Sequence, residues 1–244
     1  MNLATLKSKG LIGPLSAPPA QETAFPFGLG QRGVHEIADA AYGDRAAATG
    51  FLLAAARASK KGVILWISQT GTARDMGHLP EAALREMTGP QSRRLNLVAR
   101  HLNDALWAIE EAAVSGAVSH VIAEIDQADF TATRRLTLAS ERHGVPVTLL
   151  LPQTREGATA AATRWRIRPR PSAPNRYDPG APGHPRWQAQ LERCRAAPSL
   201  AGKVFDLEWN DETLSLGVVS GMAAGQAAPR KAPIPSSIRL GKTG

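Results

Sequence analysis

Gly33-Val-His-Glu-Ile-Ala-Asp-Ala-Ala-Tyr-Gly-Asp-Arg-Ala-Ala-Ala-Thr-Gly-Phe-Leu-Leu53 has the layout of a nucleotide-binding unit: a short strand, a loop, then an apolar helix. Its loop lacks what a phosphate needs. A working phosphate loop reads G-x-x-x-x-G-K-[ST]. Backbone N–H groups surround the phosphates, the lysine reaches the outer oxygens and the hydroxyl holds Mg²⁺. Counted from Ile37, the glycine positions fall on Asp39 and Asp44, the lysine on Arg45 and the hydroxyl on Ala46, with Gly43 displaced by one residue. Arginine is a bulkier fork than a compact ammonium, and two carboxylates repel a triphosphate at short range. The stretch keeps the plan of an ATPase without its chemistry. It predicts an accessory or scaffold protein with no catalytic residue and no cofactor.

Two further stations point the same way. After the second strand, the place of a catalytic carboxylate falls near Thr70, and a neutral hydroxyl is no general base. At the end of the strand over residues 121–125, the metal-organising acid would be Glu124 or Asp126, one register off in either direction.

Working outward, the chain alternates. Residues 34–37 read as a strand, 49–59 as a helix, 63–67 as a continuous apolar strand and 79–87 as a short helix with Pro80 in its first turn. Residues 95–98 are a strand, and Asn103 or Asp104 caps a helix running to Ser115. A strand over 120–125, a helix over 131–143 and a strand over 147–151 follow. This alternation predicts an α/β fold with a mostly parallel sheet and helices on both faces. Beyond Pro152 the pattern changes. Residues 164–168 alternate as a strand, 169–186 form a long loop, and 186–195 are a short helix or strand. Residues 203–209 and 214–219 flank a hairpin turn at Asn210-Asp211. These strands would extend the sheet with antiparallel edges. Three regions result: an irregular arm over 1–32, an α/β domain over 33–220 and a disordered basic tail over 221–244.

The 244 residues carry a net charge of +8, one cysteine and no apolar run long enough for a membrane helix. Cys194 forms no internal disulfide, so a reducing cytoplasm is the expected compartment. Residues 155–195 hold nine arginines, no lysine and three carboxylates. Arg164, Arg166, Arg168 and Arg170 would share one face of a strand, with Trp165 and Ile167 on the other. Such a row can contact nucleic-acid phosphates without reading sequence, or simply protect an edge strand. Arg230, Lys231, Arg239 and Lys242 give the tail a candidate partner-docking surface. His35 reads as structural, Trp66 and Trp107 as core, and Leu136 and Leu138 as residues in need of burial, with Arg134 and Arg135 on the solvated side. The histidines show no zinc-ligand spacing.

Asp104-Ala-Leu-Trp-Ala-Ile-Glu-Glu-Ala-Ala-Val-Ser-Gly-Ala-Val-Ser-His-Val-Ile-Ala-Glu124 resembles the RecA segment that leads into its Walker B strand. The chain resembles the ImuA family of RecA-like accessory proteins more closely. The matching features are Gly33-Val-His-Glu-Ile37, Ala105-Leu-Trp-Ala-Ile-Glu-Glu-Ala112, Ala132-Thr-Arg-Arg-Leu-Thr-Leu-Ala139, Ala162-Thr-Arg-Trp-Arg-Ile167 and Leu207-Glu-Trp-Asn210. Together they span roughly residues 30–220. The resemblance implies a RecA-like fold and a role in SOS-induced, error-prone translesion DNA synthesis. It implies action with an ImuB-type polymerase-like protein and an error-prone replicative-type polymerase, and binding to RecA, with DNA reached directly or through partners. Two alternatives are a SulA-like inhibitor of cell division and a DNA-dependent ATPase or recombinase. The last requires the missing lysine and Mg²⁺ hydroxyl.

Overall fold

A computed structural model describes residues 24–56, 62–88 and 92–219. Six parallel strands form its centre: β1 (Gly33–Asp39), β2 (Gly62–Gln69), β3 (Ser92–Ala99), β4 (His120–Glu124), β5 (Pro146–Leu151) and β6 (Thr163–Arg170). Three antiparallel strands, β7 (Arg186–Cys194), β8 (Val204–Asn210) and β9 (Ser215–Val218), extend one side. The order is β3-β2-β4-β5-β1-β6-β7-β8-β9. β1 thus lies between β5 and β6, with Ile37 level with both Leu150 and Trp165.

Because side chains alternate along a strand, the sheet has two cores. One lies under α1 (Arg45–Ala56) and gathers Ile37, Phe51, Leu52, Ile122, Leu150, Trp165, Trp187 and Leu207. Trp165 is its hub, with ring centroids 5.5 Å from Phe51, 6.0 Å from Phe27 and 6.1 Å from Phe205. Phe25 and Phe27 therefore dock the end of the N-terminal arm on this core, as their apolar character suggests. The other core lies under α4 (Leu102–Ser115) and α5 (Phe130–His143). Ala105, Ile109 and Ala113 recur at helical spacing and face Val121, Ala123, Val147 and Leu149. The Asp129 side chain accepts from Ala132 N at 2.6 Å and starts α5.

The strands and helices expected from the alternation are present, with corrections at several positions. A further helix, α2 (Thr70–Met76), follows β2 directly, and α3 (Glu81–Thr88) comes after it. The N-cap of α4 is His101, with no side-chain cap bond, which moves Asn103 and Asp104 into the first turn. Of the two alternatives for residues 186–195, the strand is the one present, over Arg186–Cys194. The last hairpin turns through residues 211–214 instead of a two-residue turn: Thr213 N donates to Asn210 Oδ1 at 2.9 Å and Leu214 takes φ 50°. Trp107 is not core; 63% of it is exposed, and Leu138 also faces solvent. Both lie on the outer side of helices whose inner side is filled by other residues, Ala105, Ile109 and Ala113 in α4 and Thr133, Leu136 and Ala139 in α5. The arm before residue 24 and the tail residues Arg230, Lys231, Arg239 and Lys242 lie outside the described residues.

Candidate functional site

The phosphate loop, residues 40–44, leaves β1 and enters α1 at Arg45. Gly43 takes φ 94°, a conformation that glycine adopts without strain. Arg45 does not face solvent. Its Nε lies 3.1 and 3.2 Å from the two Asp39 oxygens, and its Nη1 donates to Leu150 O at 3.4 Å. The pair is buried, with side-chain exposures of 9% and 3%. The cation at the lysine position is therefore already neutralised by the chain's own carboxylate.

Three of the five loop amides are engaged as well. Ala41 N donates to Asp44 Oδ2 at 3.0 Å, Ala40 N to Ile167 O at 2.8 Å and Asp44 N to Ala41 O at 3.1 Å. An incoming phosphate would have to displace an internal anion at Ala41 and would meet Asp39 and Asp44 at short range. Burial pushes the Asp39 carboxyl above its usual range against the pull of Arg45, and the charges of Asp44 and Glu124 add to the rise.

The other two stations are also self-satisfied. Ser68 donates to buried Glu124 Oε2 at 2.7 Å, and Asp126 N donates to Gln69 Oε1 at 2.6 Å. Thr70 opens α2 and donates to Ala99 O at 3.1 Å. Asp126 is exposed and receives Thr72 Oγ1 at 3.4 Å. Side chains at these strand ends bond to one another in the places where an ATPase holds metal and water. Two grooves, of about 450 and 700 Å³, meet beside Phe130 and Gly157; the first is lined by Asp126 and Arg155 and the second by Arg164 and Glu192, and neither is lined by Asp39, Arg45 or Glu124.

The arginine row shares one face, with Trp165 and Ile167 buried on the other, as alternation requires. Half of it is not available to phosphates. Glu36, fully buried in β1, accepts from Arg164 Nε at 2.7 Å, Arg155 Nη1 at 3.0 Å and the Thr159 hydroxyl. Glu192 accepts from Arg155 Nη2 at 2.5 Å and from Arg166 Nε. Arg166 also binds Asp39 O and Gln153 O, and Arg164 binds Gly157 O. Burial and the neighbouring Arg164 charge lower the Arg155 pKa, while Glu192 and Glu36 oppose the shift. Burial alone would raise Glu192, but the Arg166 hydrogen bond and the Arg155 and Arg166 charges outweigh it and hold it low. Arg164 and Arg166 thus clamp the segment after β5 to the sheet. Arg168 is exposed, and Arg170 makes a loose exposed pair with Asp206 at 3.5 Å. The missed member was Glu36. A carboxylate in the middle of an otherwise buried strand demands cationic partners, and the arginine-rich segment supplies them.

These features define an α/β protein with a mostly parallel sheet and flanking helices, in which the loop after β1 is closed by its own Asp39–Arg45 ion pair. Protein ImuA from each of two strains of Caulobacter vibrioides is 32% identical over 193 residues, covering 72% of this chain and 76% of the relative. The chain belongs to the ImuA family. No family model matches it. The crystal structure of the RadB recombinase aligns with a TM-score of 0.47 at 15% identity, over 78% of this chain and 92% of that one.

Proposed function

We propose that this protein is a non-catalytic RecA-like accessory protein, an adaptor in SOS-induced error-prone translesion DNA synthesis. It acts in the cytoplasm with an ImuB-type polymerase-like partner and an error-prone DNA polymerase III alpha-type subunit, and contacts RecA. The observation that carries the reading is the buried Asp39–Arg45 pair at the place of a triphosphate's lysine. Family membership supplies the setting. An exposed apolar surface supports a docking role: β3 is the outermost strand, and its Leu95, Leu97 and Val98 stand in solvent, as does Trp107 on α4. Such patches on a soluble protein mark contacts with other proteins.

The test has two arms. Purified protein is expected to show no magnesium-dependent ATP turnover with or without DNA; robust turnover overturns the reading and favours a recombinase. Tagged protein is expected to retain the polymerase-like partner. Leu97→Lys, an exposed change that costs the fold within about 0.5 kcal/mol, is expected to weaken that capture at least about tenfold. Filamentation on overexpression without DNA damage, together with no partner capture, would favour the SulA-like alternative.

A further inference from the structure

The chain has two tyrosines, and both stand in solvent: Tyr42 is 82% and Tyr177 86% exposed. They occupy loops that leave the same end of two neighbouring parallel strands. Tyr42 lies in the loop after β1, Tyr177 in the loop after β6, and β1 pairs with β6. Four of the five tryptophans and four of the five phenylalanines are buried or packed on a core. Exposure of an aromatic is therefore the exception in this fold, and both tyrosines share it at one rim.

The second loop is built to present its tip. Asn175 Oδ1 accepts from Tyr177 N at 2.9 Å and Asp178 N at 3.2 Å, while Asn175 Nδ2 donates to Pro182 O at 3.2 Å. Pro174 bridges to Pro182, and Ala173 N donates to His184 O at 2.9 Å. Gly183 lets the two arms close: a Cβ there would stand 2.3 Å from Ala173 O. At the tip the Arg176 guanidinium sits 5.8 Å from the Tyr177 ring centroid. The one carboxylate of the loop, Asp178, is turned onto Gly180 N at 2.8 Å.

Positive charge surrounds the Tyr177 ring. Residues 168–186 carry four arginines against that single acid. Arg186 is held by Glu208 at 2.6 Å, but Arg168 stands in solvent, Arg176 flanks Tyr177, and Arg170 holds only its loose contact with Asp206. Exposed flat rings interleaved with arginine match the requirements of an unpaired nucleic-acid strand. Every base has a face to stack, and guanidiniums follow the phosphates.

We infer that the rim formed by Tyr42, Tyr177, Arg168, Arg170 and Arg176 binds single-stranded DNA, with bases stacked on the tyrosines and arginines on the backbone. It deepens the adaptor reading, on which it rests for the choice of DNA. The pinned loop keeps the ordering cost of binding low. Arg164 and Arg166 take no part, because their charge is spent on Glu36 and Glu192.

The experiment is fluorescence anisotropy of a labelled oligothymidylate, with the matching duplex as comparison, on the full-length protein. The single strand is expected to bind more tightly than the duplex. Tyr177→Ala should weaken it about tenfold, and Tyr177→Phe should retain binding. Arg168→Ala with Arg176→Ala should lower the slope of log affinity against log salt by about one or more. All three positions are exposed, so circular dichroism should match the wild type. Equal affinity for single strand and duplex, or unchanged affinity in Tyr177→Ala, overturns the inference. So does loss of the polymerase-like partner by Tyr177→Ala without loss of the oligonucleotide, which would make the tip a protein contact. Partner capture by a protein that binds no oligonucleotide sinks this inference and leaves the adaptor reading standing; oligonucleotide binding without any partner does the reverse.

Discussion

Glu36→Gln is expected to destabilise the protein by about 3–5 kcal/mol, the largest single-residue effect foreseen for this fold. The change removes hardly any volume. It does remove the charge that Arg155 and Arg164 share at 3.0 and 2.7 Å. The Arg155 side chain is 2% exposed and cannot recover water in place. It keeps Glu192 at 2.5 Å, so the loss is one of two counter-charges. Against a total stability of about 5–15 kcal/mol, such a loss is a large part of the margin that keeps the chain folded. Urea unfolding followed by circular dichroism measures it. Arg135→Ala serves as the contrast, because its pair with Glu110 is mostly solvated and should contribute no more than about 1 kcal/mol. If Glu36→Gln costs no more than Arg135→Ala, the clamp is ornamental and the segment after β5 is held by its other contacts. Replacing Glu36 and Arg155 together by apolar residues should cost less than Glu36→Gln alone, because the most deeply buried cation leaves with its counter-charge, while Arg164 is 14% exposed and Glu192 keeps Arg166.

The second large effect is an acid dependence centred on His35. Its Nδ1 lies 2.8 Å from Thr163 Oγ1, and burial, with the Arg195 charge behind it, lowers its pKa from 6.5 to about 4 against a raising contact with the Gln31 backbone. In the unfolded chain the imidazole takes up its proton near pH 6.5, while in the folded protein it resists until about pH 4. The unfolded state therefore binds more protons across that window. The contribution of this residue is fully present above pH 6.5 and is lost as pH falls toward 4. The whole window amounts to roughly 3 kcal/mol, with about 2 kcal/mol lost between about pH 7 and about pH 5. Asp39 acts in the opposite sense, because its raised pKa favours the folded state as protons are added. The depressed Glu192 acts in the same sense as His35, in a more acidic range. Urea curves at the two pH values for wild type and His35→Gln isolate the imidazole. The variant should lose most of the wild-type slope, and an unchanged slope would assign the acid sensitivity to the carboxylates.

Much of this architecture could be read before any coordinates. Continuous apolar runs such as Val63-Ile-Leu-Trp-Ile67 belong to strands covered on both faces, and here both faces of β2 meet a core. Alternation in Arg164-Trp-Arg-Ile-Arg168 put Trp165 and Ile167 inward. Errors arose where one apolar residue had no companions. Trp107 and Leu138 look like core by type, but the faces they occupy were already decided by Ala105, Ile109, Leu136 and Ala139. Helix α2 went unread because Thr70-Gly-Thr-Ala-Arg-Asp-Met76 has no buried residue and thus no period.

The residues of Gly33–Leu53 establish unaided that the loop after β1 does not hold glycines, lysine and hydroxyl at the spacing a phosphate loop needs, since that is a matter of which functional groups exist at which spacing. They say nothing of where the replacements point. Folding turned Arg45 back onto Asp39 and made a vacant site a filled one. It also separated four alternating arginines into two clamps and two solvent-facing charges. Local chemistry follows from covalent order, but pairing depends on distance. Glu36 and Arg155 are 119 residues apart, and only the closing of the sheet brings them within 3.0 Å.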